Sequence, residues 1–266
     1  MPPIDREKVG RSFGRQAGEY DRYAVVQKRV VARLLGQLDD LPAPRAVLDI
    51  GTGTGMLLGR LADRYPAARA VGVDLAPAMA EAARDSLAGR GVEILVADAE
   101  ALPFADNTFD LVVSSSTFQW LETLHGAFGE AHRVLAPGGR FRFALFGGET
   151  LRELKASYRQ ALASGGGPDR THQFATADGV LTALVACGFT DCGVHAELET
   201  EYHEDARAVL RAIKRVGAGT AAVPAGGLGG RRVTQEMLTI YDREYSAGGR
   251  VPATYEVVYG WGMKPG

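Results

Sequence analysis

Short apolar runs and helical spacings divide the chain into alternating strands and helices. The runs with the length of buried strands are 47–50, 70–74, 92–96, 109–114, 140–146, 190–202 and 254–261. The segments with helical spacing are 4–16, 19–38, 56–64, 77–88, 124–135, 151–163, 180–186, 206–216 and 234–245. Strands that alternate with helices form parallel sheets with right-handed crossovers. The pattern therefore predicts an α/β fold, and its last two strands could form an antiparallel edge.

The first strand carries a carboxylate near its end and runs into a glycine-rich turn. Asp49 is followed by Gly51, Gly53 and Gly55, which permit positive φ and let a ligand lie against bare backbone. This G-x-G-x-G spacing differs from the dinucleotide fingerprint G-x-G-x-x-G. A carboxylate here would also repel a pyrophosphate but attract an ammonium or sulfonium. Both departures favour S-adenosylmethionine as the ligand of these four residues.

Two further acids follow predicted strands. Asp74 ends the second strand, where a carboxylate can accept hydrogen bonds from both hydroxyls of a ribose. The alternative is that it caps the following helix. Asp98 and the N–H of Ala99 come after the third strand and can recognise the edge of an adenine. Leu75 and Met79 are expected to cover the faces of the ring.

Composition and charge exclude several classes of protein. The chain has 266 residues, 46% hydrophobic and 23% charged residues and a net charge of −2, which suits one large α/β domain without bulk attraction to nucleic acid or membrane. Cys187 and Cys192 are too few for a disulfide scaffold or a zinc site, so a cytoplasmic location is predicted. The five histidines form no metal-ligand or nucleophile pattern, and we expect surface or structural roles for them.

Four motifs in order resemble the class I S-adenosylmethionine-dependent methyltransferases: Asp49-x-Gly51-x-Gly53-x-Gly55, Asp74, Asp98-Ala99 and Leu135-x-Pro137-Gly138-Gly139. Flanking segments are similar, more narrowly, to the malonyl-[acyl-carrier protein] O-methyltransferases of biotin synthesis. These segments are Phe13-Gly14-Arg15-x-Ala17-x-x-Tyr20-x-x-Tyr23-Ala24, Ser114 through Gln119-Trp120, Arg211-x-x-Lys214-x-x-Gly217-Ala218 and the strand with Tyr255. Ser115 stands where some members have Asn, and Arg215 where some have Gly, so the substrate side departs from the family more than the cofactor side.

The resemblance implies a fold, a domain plan and a reaction. The fold is Rossmann-like, with a mostly parallel seven-stranded sheet, helices on both faces and an antiparallel edge strand. Residues 1–40 form a helical prefix and candidate lid, and residues 41–266 form the methyltransferase domain, with substrate-side elements in 147–250. The reaction transfers a methyl group to the free carboxylate of a malonyl thioester on acyl-carrier protein, with malonyl-coenzyme A as an alternative acceptor.

That chemistry suggests roles for residues outside the cofactor motifs. A carboxylic acid with a pKa of ~4 is ionised at neutral pH, so no general base is needed and catalysis is positioning and desolvation. The Tyr20 hydroxyl, the Gln119 amide and the Trp120 indole N–H are predicted to orient the carboxylate, and Ser114 to belong to the cofactor site. The alternatives are that Tyr20 and Trp120 only pack and that Gln119 caps a loop.

A basic helix is the predicted contact for the acidic carrier protein. Arg211, Lys214 and Arg215 share one face of the predicted helix 206–216. The alternative is an ordinary solvated helix face. Other functions stay open at this point: a methyltransferase acting on a quinone carbon or a small free acid, a non-methylating assembly factor with the same fold and, least favoured, a dinucleotide-dependent dehydrogenase.

Overall fold

A computed structural model of the chain describes residues 6–16, 18, 20–165, 169, 171–218 and 230–266. Its strands are β1 Ala46–Ile50, β2 Arg69–Asp74, β3 Glu93–Val96, β4 Phe109–Ser115, β5 Leu135–Phe146, β6 Thr190–His203 and β7 Val251–Met263. Its helices are α1 Arg6–Gln16, α2 Tyr20–Tyr23, α3 Val25–Gly36, α4 Met56–Arg64, α5 Pro77–Ser86, α6 His125–Val134, α7 Arg152–Gly165, α8 Ala177–Ala186, α9 Ala206–Arg215 and α10 Gly230–Tyr245.

The strands form one seven-stranded sheet in the order β3-β2-β1-β4-β5-β7-β6. The first five strands pair in parallel, and β7 runs antiparallel between β5 and β6. The predicted seven-stranded, mostly parallel sheet with an antiparallel edge is therefore confirmed. The parallel strands all end at one edge of the sheet, which is where open α/β sheets bind ligands.

Apolar side chains cover both faces of the sheet. On one face, Phe128 of α6 and Leu184 of α8 pack against Phe141 and Phe143 of β5. On the other face, helices α3 and α4 bury Leu34 and Leu57 against β1 and β4. A third cluster joins α7, α9 and α10 to the start of β7, through Tyr158, Ile213, Met237, Tyr241 and Val251. These three helices form a separate layer beside the ligand-binding edge.

Several predicted bounds differ from the structure, and one predicted loop lies largely outside the described residues. The helix predicted over 19–38 is interrupted at Ala24, a buried residue with φ −78° and ψ 55° that separates α2 from α3. Strand β5 begins at Leu135 instead of 140, because backbone hydrogen bonds tie its first residues to the end of β7: Gly138 N donates to the Lys264 carbonyl at 2.9 Å. The glycine-rich loop predicted over 217–230 lies, at 219–229, outside the described residues.

Candidate active site

A cleft opens at the carboxyl ends of β1, β2 and β4, beneath α1 and α2. It contains about 800 Å³ of space outside the protein atoms, part of which is open to solvent. The predicted site residues that line it are Tyr20, Gly51, Gly53, Asp74, Leu75, Met79, Ala99 and Trp120. The fold therefore brings together residues from the helical prefix, two strand ends, α5 and the segment after β4.

The turn after β1 needs glycine at two positions for different reasons. Gly51 has φ +72°, and a Cβ there would overlap the Thr117 side chain. Gly55 has φ +88°, and a Cβ there would meet Leu87 at 2.7 Å. Gly51 lines the cleft, whereas Gly55 lies behind it as the left-handed N-cap of α4. Glycine at 51 thus brings the segment after β4 against the turn, and glycine at 55 brings α5 against α4.

Asp74 holds the turn with both carboxylate oxygens. Gly53 N donates to Oδ2 at 2.9 Å, and Ala76 N donates to Oδ1 at 2.8 Å. Burial raises the pKa of Asp74 although these two hydrogen bonds act against it. Because each carboxylate oxygen has a second lone pair, the acid can also accept from a ligand. Ala76 is the N-cap residue of α5, so Asp74 fixes the residue before the helix without capping a helical N–H. Hydrogen bonding to a ribose stays a prediction.

Asp49 is a buried acid with an unpaired oxygen. Its exposed fraction is 1%, Thr52 Oγ1 donates to Oδ2 at 2.9 Å, and Oδ1 has no partner among the described residues. Burial raises the pKa of Asp49 to about 7 although the hydrogen bond from Thr52 acts against it, and the charge of Asp74 acts in the same direction as burial. Asp49 lies behind the lining of the cleft. An orphaned carboxylate oxygen beside a glycine turn fits a cofactor that brings a positive charge.

The helical prefix forms the roof of the cleft. Val9 and Gly10 of α1 line it. Gly14 lies so close to α5 that a Cβ would meet the Ala78 Cβ at 3.3 Å. Thr54 Oγ1, at the glycine turn, donates to Asp21 Oδ1 of α2 at 2.7 Å. The prefix is therefore attached to both walls of the cofactor side, while its action as a lid stays a prediction.

Three aromatic side chains meet at the inner end of the roof. The ring centroid of Phe13 lies 6.2 Å from that of Tyr20 and 5.6 Å from that of Trp120, both in edge-on contacts. Burial, with the nearby charges of Asp21 and Asp74, raises the pKa of Tyr20. The Tyr20 phenol therefore stays protonated at neutral pH and can donate a hydrogen bond into the cleft.

Gln119 does not face this cleft. Its side chain is buried, and Nε2 donates to the Ser116 carbonyl at 2.7 Å. It lines a neighbouring groove on the other side of the 118–120 turn. This hydrogen bond matches the alternative role of Gln119 as a loop cap, because it supports the backbone that carries Trp120. The second N–H of the amide is not used by this hydrogen bond, but the side chain lines the neighbouring groove and not the cleft.

Of the other predicted cofactor residues, some line the cleft and some do not. Leu75, Met79 and Ala99 line the cleft together, as expected for an adenine site. Asp98 lies just outside that lining and accepts a hydrogen bond from Glu100 N at 2.9 Å. Ser114 is fully buried and donates to the Ile50 carbonyl at 2.7 Å, so its side chain joins β4 to β1 and does not reach the cleft.

Sequence reasoning missed part of the lining. Phe13, Ser115, Ser116 and Thr117 line the cleft without having been assigned to it. Ser116 has φ +57°, a left-handed conformation that is uncommon for a residue other than glycine and that is concentrated at functional sites. The signals for these residues were indirect. Phe13 lies in the prefix segment that resembles the family, and the other three follow a strand that ends at the ligand-binding edge.

The predicted partner-binding residues lie on α9. Arg211 and Lys214 are exposed, and Arg211 Nη2 is 3.8 Å from Asp205 Oδ1. The guanidinium of Arg215 lies over the Tyr23 ring, 4.7 Å from its centroid. Since Tyr23 ends α2, the basic face of α9 adjoins the roof of the cleft.

Across the described ranges, no group of three His, Cys, Asp or Glu side chains could hold a metal ion. In the same part of the chain, no helix combines the length and apolar character that a bilayer span requires.

Comparison with known proteins gives a consistent set of relatives. A family described as "Methyltransferase domain" matches residues 48–143. The malonyl-[acyl-carrier protein] O-methyltransferase of Geobacter sulfurreducens is 55% identical over 98% of this chain and 100% of its own length. The protein of the same name from Laribacter hongkongensis is 40% identical over 98% of this chain and 90% of its own length.

Solved structures agree on the fold. The YcgJ protein of Bacillus subtilis has a TM-score of 0.62 at 18% identity and covers 89% of this chain and 98% of its own. A phosphoethanolamine N-methyltransferase of Haemonchus contortus in complex with S-adenosyl-L-methionine has a TM-score of 0.55 at 19% identity, over 89% of this chain and 52% of its own. At these identities the likeness concerns the fold alone.

Proposed function

Since the chain belongs to the family of malonyl-[acyl-carrier protein] O-methyltransferases, we propose that it transfers a methyl group from S-adenosylmethionine to the free carboxylate of a malonyl thioester on acyl-carrier protein. The observation that carries this proposal is the 55% identity to a relative of that name over the full length of the relative. Biotin synthesis is the pathway in which such a methyl ester would be used.

The cleft is suited to the cofactor. Gly51, Gly53 and Asp74 would hold its sugar and methionyl end, and Leu75 and Met79 its base. When bound, S-adenosylmethionine supplies an electrophilic methyl group on a positively charged sulfur. The unpaired Oδ1 of Asp49 would offset positive charge at that end of the cleft.

The acceptor side is suited to an anion that needs no activation. Of the described residues that line the cleft, none is Lys, Arg or His. A carboxylate with a pKa of ~4 is already ionised, so a base would add nothing. A cationic partner in direct contact would also lower its nucleophilicity. Tyr20, as a protonated phenol, and Trp120 can orient the carboxylate by neutral hydrogen bonds, which leaves its charge free to attack in line.

The carrier protein would dock on α9. Arg211 and Lys214 offer exposed positive charge, and Arg215 connects that face to the roof through Tyr23. Acyl-carrier proteins are acidic, so the attraction would act chiefly on the association rate. A cytoplasmic location and the lack of a nucleic-acid partner stay predictions from the two cysteines, which are both free, and from the net charge.

Growth without biotin tests the proposal in cells. The chain is expressed in a bacterium that lacks its own malonyl-[acyl-carrier protein] O-methyltransferase, beside an Asp74→Ala variant as the inactive control. We expect the wild-type chain to restore growth and the variant to fail. The proposed acceptor would be contradicted if a well-expressed wild-type chain failed to restore growth. Methylation of a quinone or a free small acid in vitro would then identify that compound as the acceptor.

A further inference from the structure

The 118–120 turn, whose residues are Phe118, Gln119 and Trp120, is held at its last peptide bond from both sides. Trp120 N donates to the Thr117 carbonyl at 3.1 Å. On the opposite side, the Gln119 carbonyl lies 2.9 Å from Nε2 of His172, which belongs to the segment before α8. Because these two contacts fix the plane of the peptide, they also fix the direction in which the Trp120 side chain leaves the backbone.

His172 also sets the position of the Trp120 ring. The two ring centroids are 5.7 Å apart at an interplanar angle of 34°, and Phe13 of the roof packs on Trp120 at 5.6 Å. The indole therefore lies between the roof and His172. Behind His172, the Phe174 ring approaches edge-on at 4.5 Å. This aromatic contact leaves the imidazole little freedom to turn.

The environment of His172 defines its charge and tautomer. The residue is buried, and burial lowers its pKa although the hydrogen bond to the Gln119 carbonyl acts against this. The charge of Lys155 lowers the pKa further. A neutral imidazole carries one N–H. Since a carbonyl oxygen can only accept, Nε2 is the nitrogen that bears the hydrogen and donates to Gln119.

We propose that His172 is a positioning residue for methyl transfer, which holds Trp120 as the acceptor-side wall of the cleft. This inference rests on the proposed function, because the wall matters only if the acceptor is bound beside it. Misplacement of reacting groups by about 1 Å can lower a rate by roughly a hundredfold. A buried histidine that had been expected to be merely structural thus acquires a defined role.

Three variants test the proposal by kinetics. In His172→Leu the donor is lost, and we expect kcat with malonyl-carrier protein to fall ten- to a hundredfold while the Kd for S-adenosylmethionine stays within threefold. His172→Gln keeps an N–H near the position of Nε2 and should recover most of the rate. His132→Leu, which removes a partly buried imidazole against Phe189, is the matched control. If His172→Leu does not fold, His172→Asn replaces it, because its shorter amide cannot reach the carbonyl.

Fluorescence anisotropy decay provides a readout that is independent of the acceptor. Trp120 and Trp261 are the two tryptophans of the chain, so a Trp261→Phe background reports on Trp120 alone. We expect Trp120 to rotate only with the whole protein in that background, and to gain a nanosecond component when His172→Leu is added.

The outcomes separate the two proposals. Wild-type kcat in His172→Leu, or an unchanged anisotropy decay, would overturn the role of His172. A wild-type enzyme that fails to methylate malonyl-carrier protein would instead overturn the proposed acceptor, and the anisotropy decay would then decide on His172.

Discussion

The buried carboxyl of Asp49 should make the ligand-free protein less stable as the pH rises. We predict that Asp49→Asn stabilises the protein at pH 8 while it weakens the binding of S-adenosylmethionine. The reason is that the acid is held at 1% exposure with one oxygen unpaired, a setting that disfavours its charge. A positively charged ligand would use that same charge.

The size of the effect follows from the difference between two pKa values. In the unfolded chain the pKa of an aspartic acid is ~3.9, and in the folded protein burial raises that of Asp49 to about 7. Between these values the folded state binds more protons than the unfolded state, so the free energy of unfolding falls as the pH rises. About three pK units at ~1.4 kcal/mol each give an upper limit of roughly 4 kcal/mol. Relaxation in the folded state reduces this, and we expect about 2 kcal/mol.

The assay is chemical denaturation of wild-type protein and Asp49→Asn from pH 4 to pH 8 without ligand. The stability difference should be near its lowest value at pH 4, should grow through pH 7 and should then level off. Asp110→Asn is the control, because the contribution of this carboxyl to stability should change with pH in the opposite direction. Although burial alone would raise the pKa of Asp110, hydrogen bonds from Arg45 and Ala46 hold it below its usual value. That carboxyl therefore contributes stability that is lost as the pH falls.

Calorimetry at pH 6 in two buffers of different ionisation enthalpy completes the test. Binding of S-adenosylmethionine to the wild-type protein should release a proton, and binding to Asp49→Asn should be weaker and release none from this site. A stability difference that does not change with pH, or tight binding by Asp49→Asn without a change in proton release, would refute the reasoning.

Four further substitutions test the remaining roles. Asp74→Ala should weaken S-adenosylmethionine binding by about 2–4 kcal/mol, because a charged acceptor is lost together with its hold on the glycine turn; unchanged affinity in the folded variant would contradict the ribose assignment. Tyr20→Phe should lower kcat about tenfold with cofactor Kd within a few fold, and wild-type turnover would reduce Tyr20 to a packing residue. Lys214→Glu, or Arg211→Glu, should raise KM for malonyl-carrier protein about tenfold at low salt. The effect should vanish near 1 M salt, where the Debye length is ~3 Å. Turnover of a short malonyl thioester should be unaffected. Equal losses on both acceptors would instead place these residues in the pocket.

The sheet was predictable because local patterns determine it. Each parallel strand is a short apolar run next to a turn or helix signal, and the first four strands begin and end within one residue of their predicted bounds. The interruption at Ala24 was not predictable, because residues on both sides of it have helical spacing. The extended start of β5 depends on hydrogen bonds with Lys264, more than a hundred residues away.

Some of the residues that line the cleft were predictable from the sequence, and the use of others was not. Glycines and acids at strand ends have few roles, and Gly51, Gly53 and Asp74 all line the cleft. Ser114 and Gln119 carry polar groups that could serve either a ligand or the backbone, and in the fold each bonds to a backbone carbonyl. Spacing along the chain does not separate these two uses. His172 was beyond sequence reasoning, because its partner is 53 residues away.

The most direct test of the central claim is the intact mass of malonyl-acyl-carrier protein after incubation with the enzyme and S-adenosylmethionine. Carrier protein without the malonyl group and malonyl-coenzyme A serve as parallel acceptors. We predict that malonyl-carrier protein gains the mass of one methyl substitution, as a methyl ester that mild base removes, and that unmalonylated carrier protein gains none. An unchanged mass of malonyl-carrier protein, or an equal gain on the unmalonylated carrier, would contradict the account.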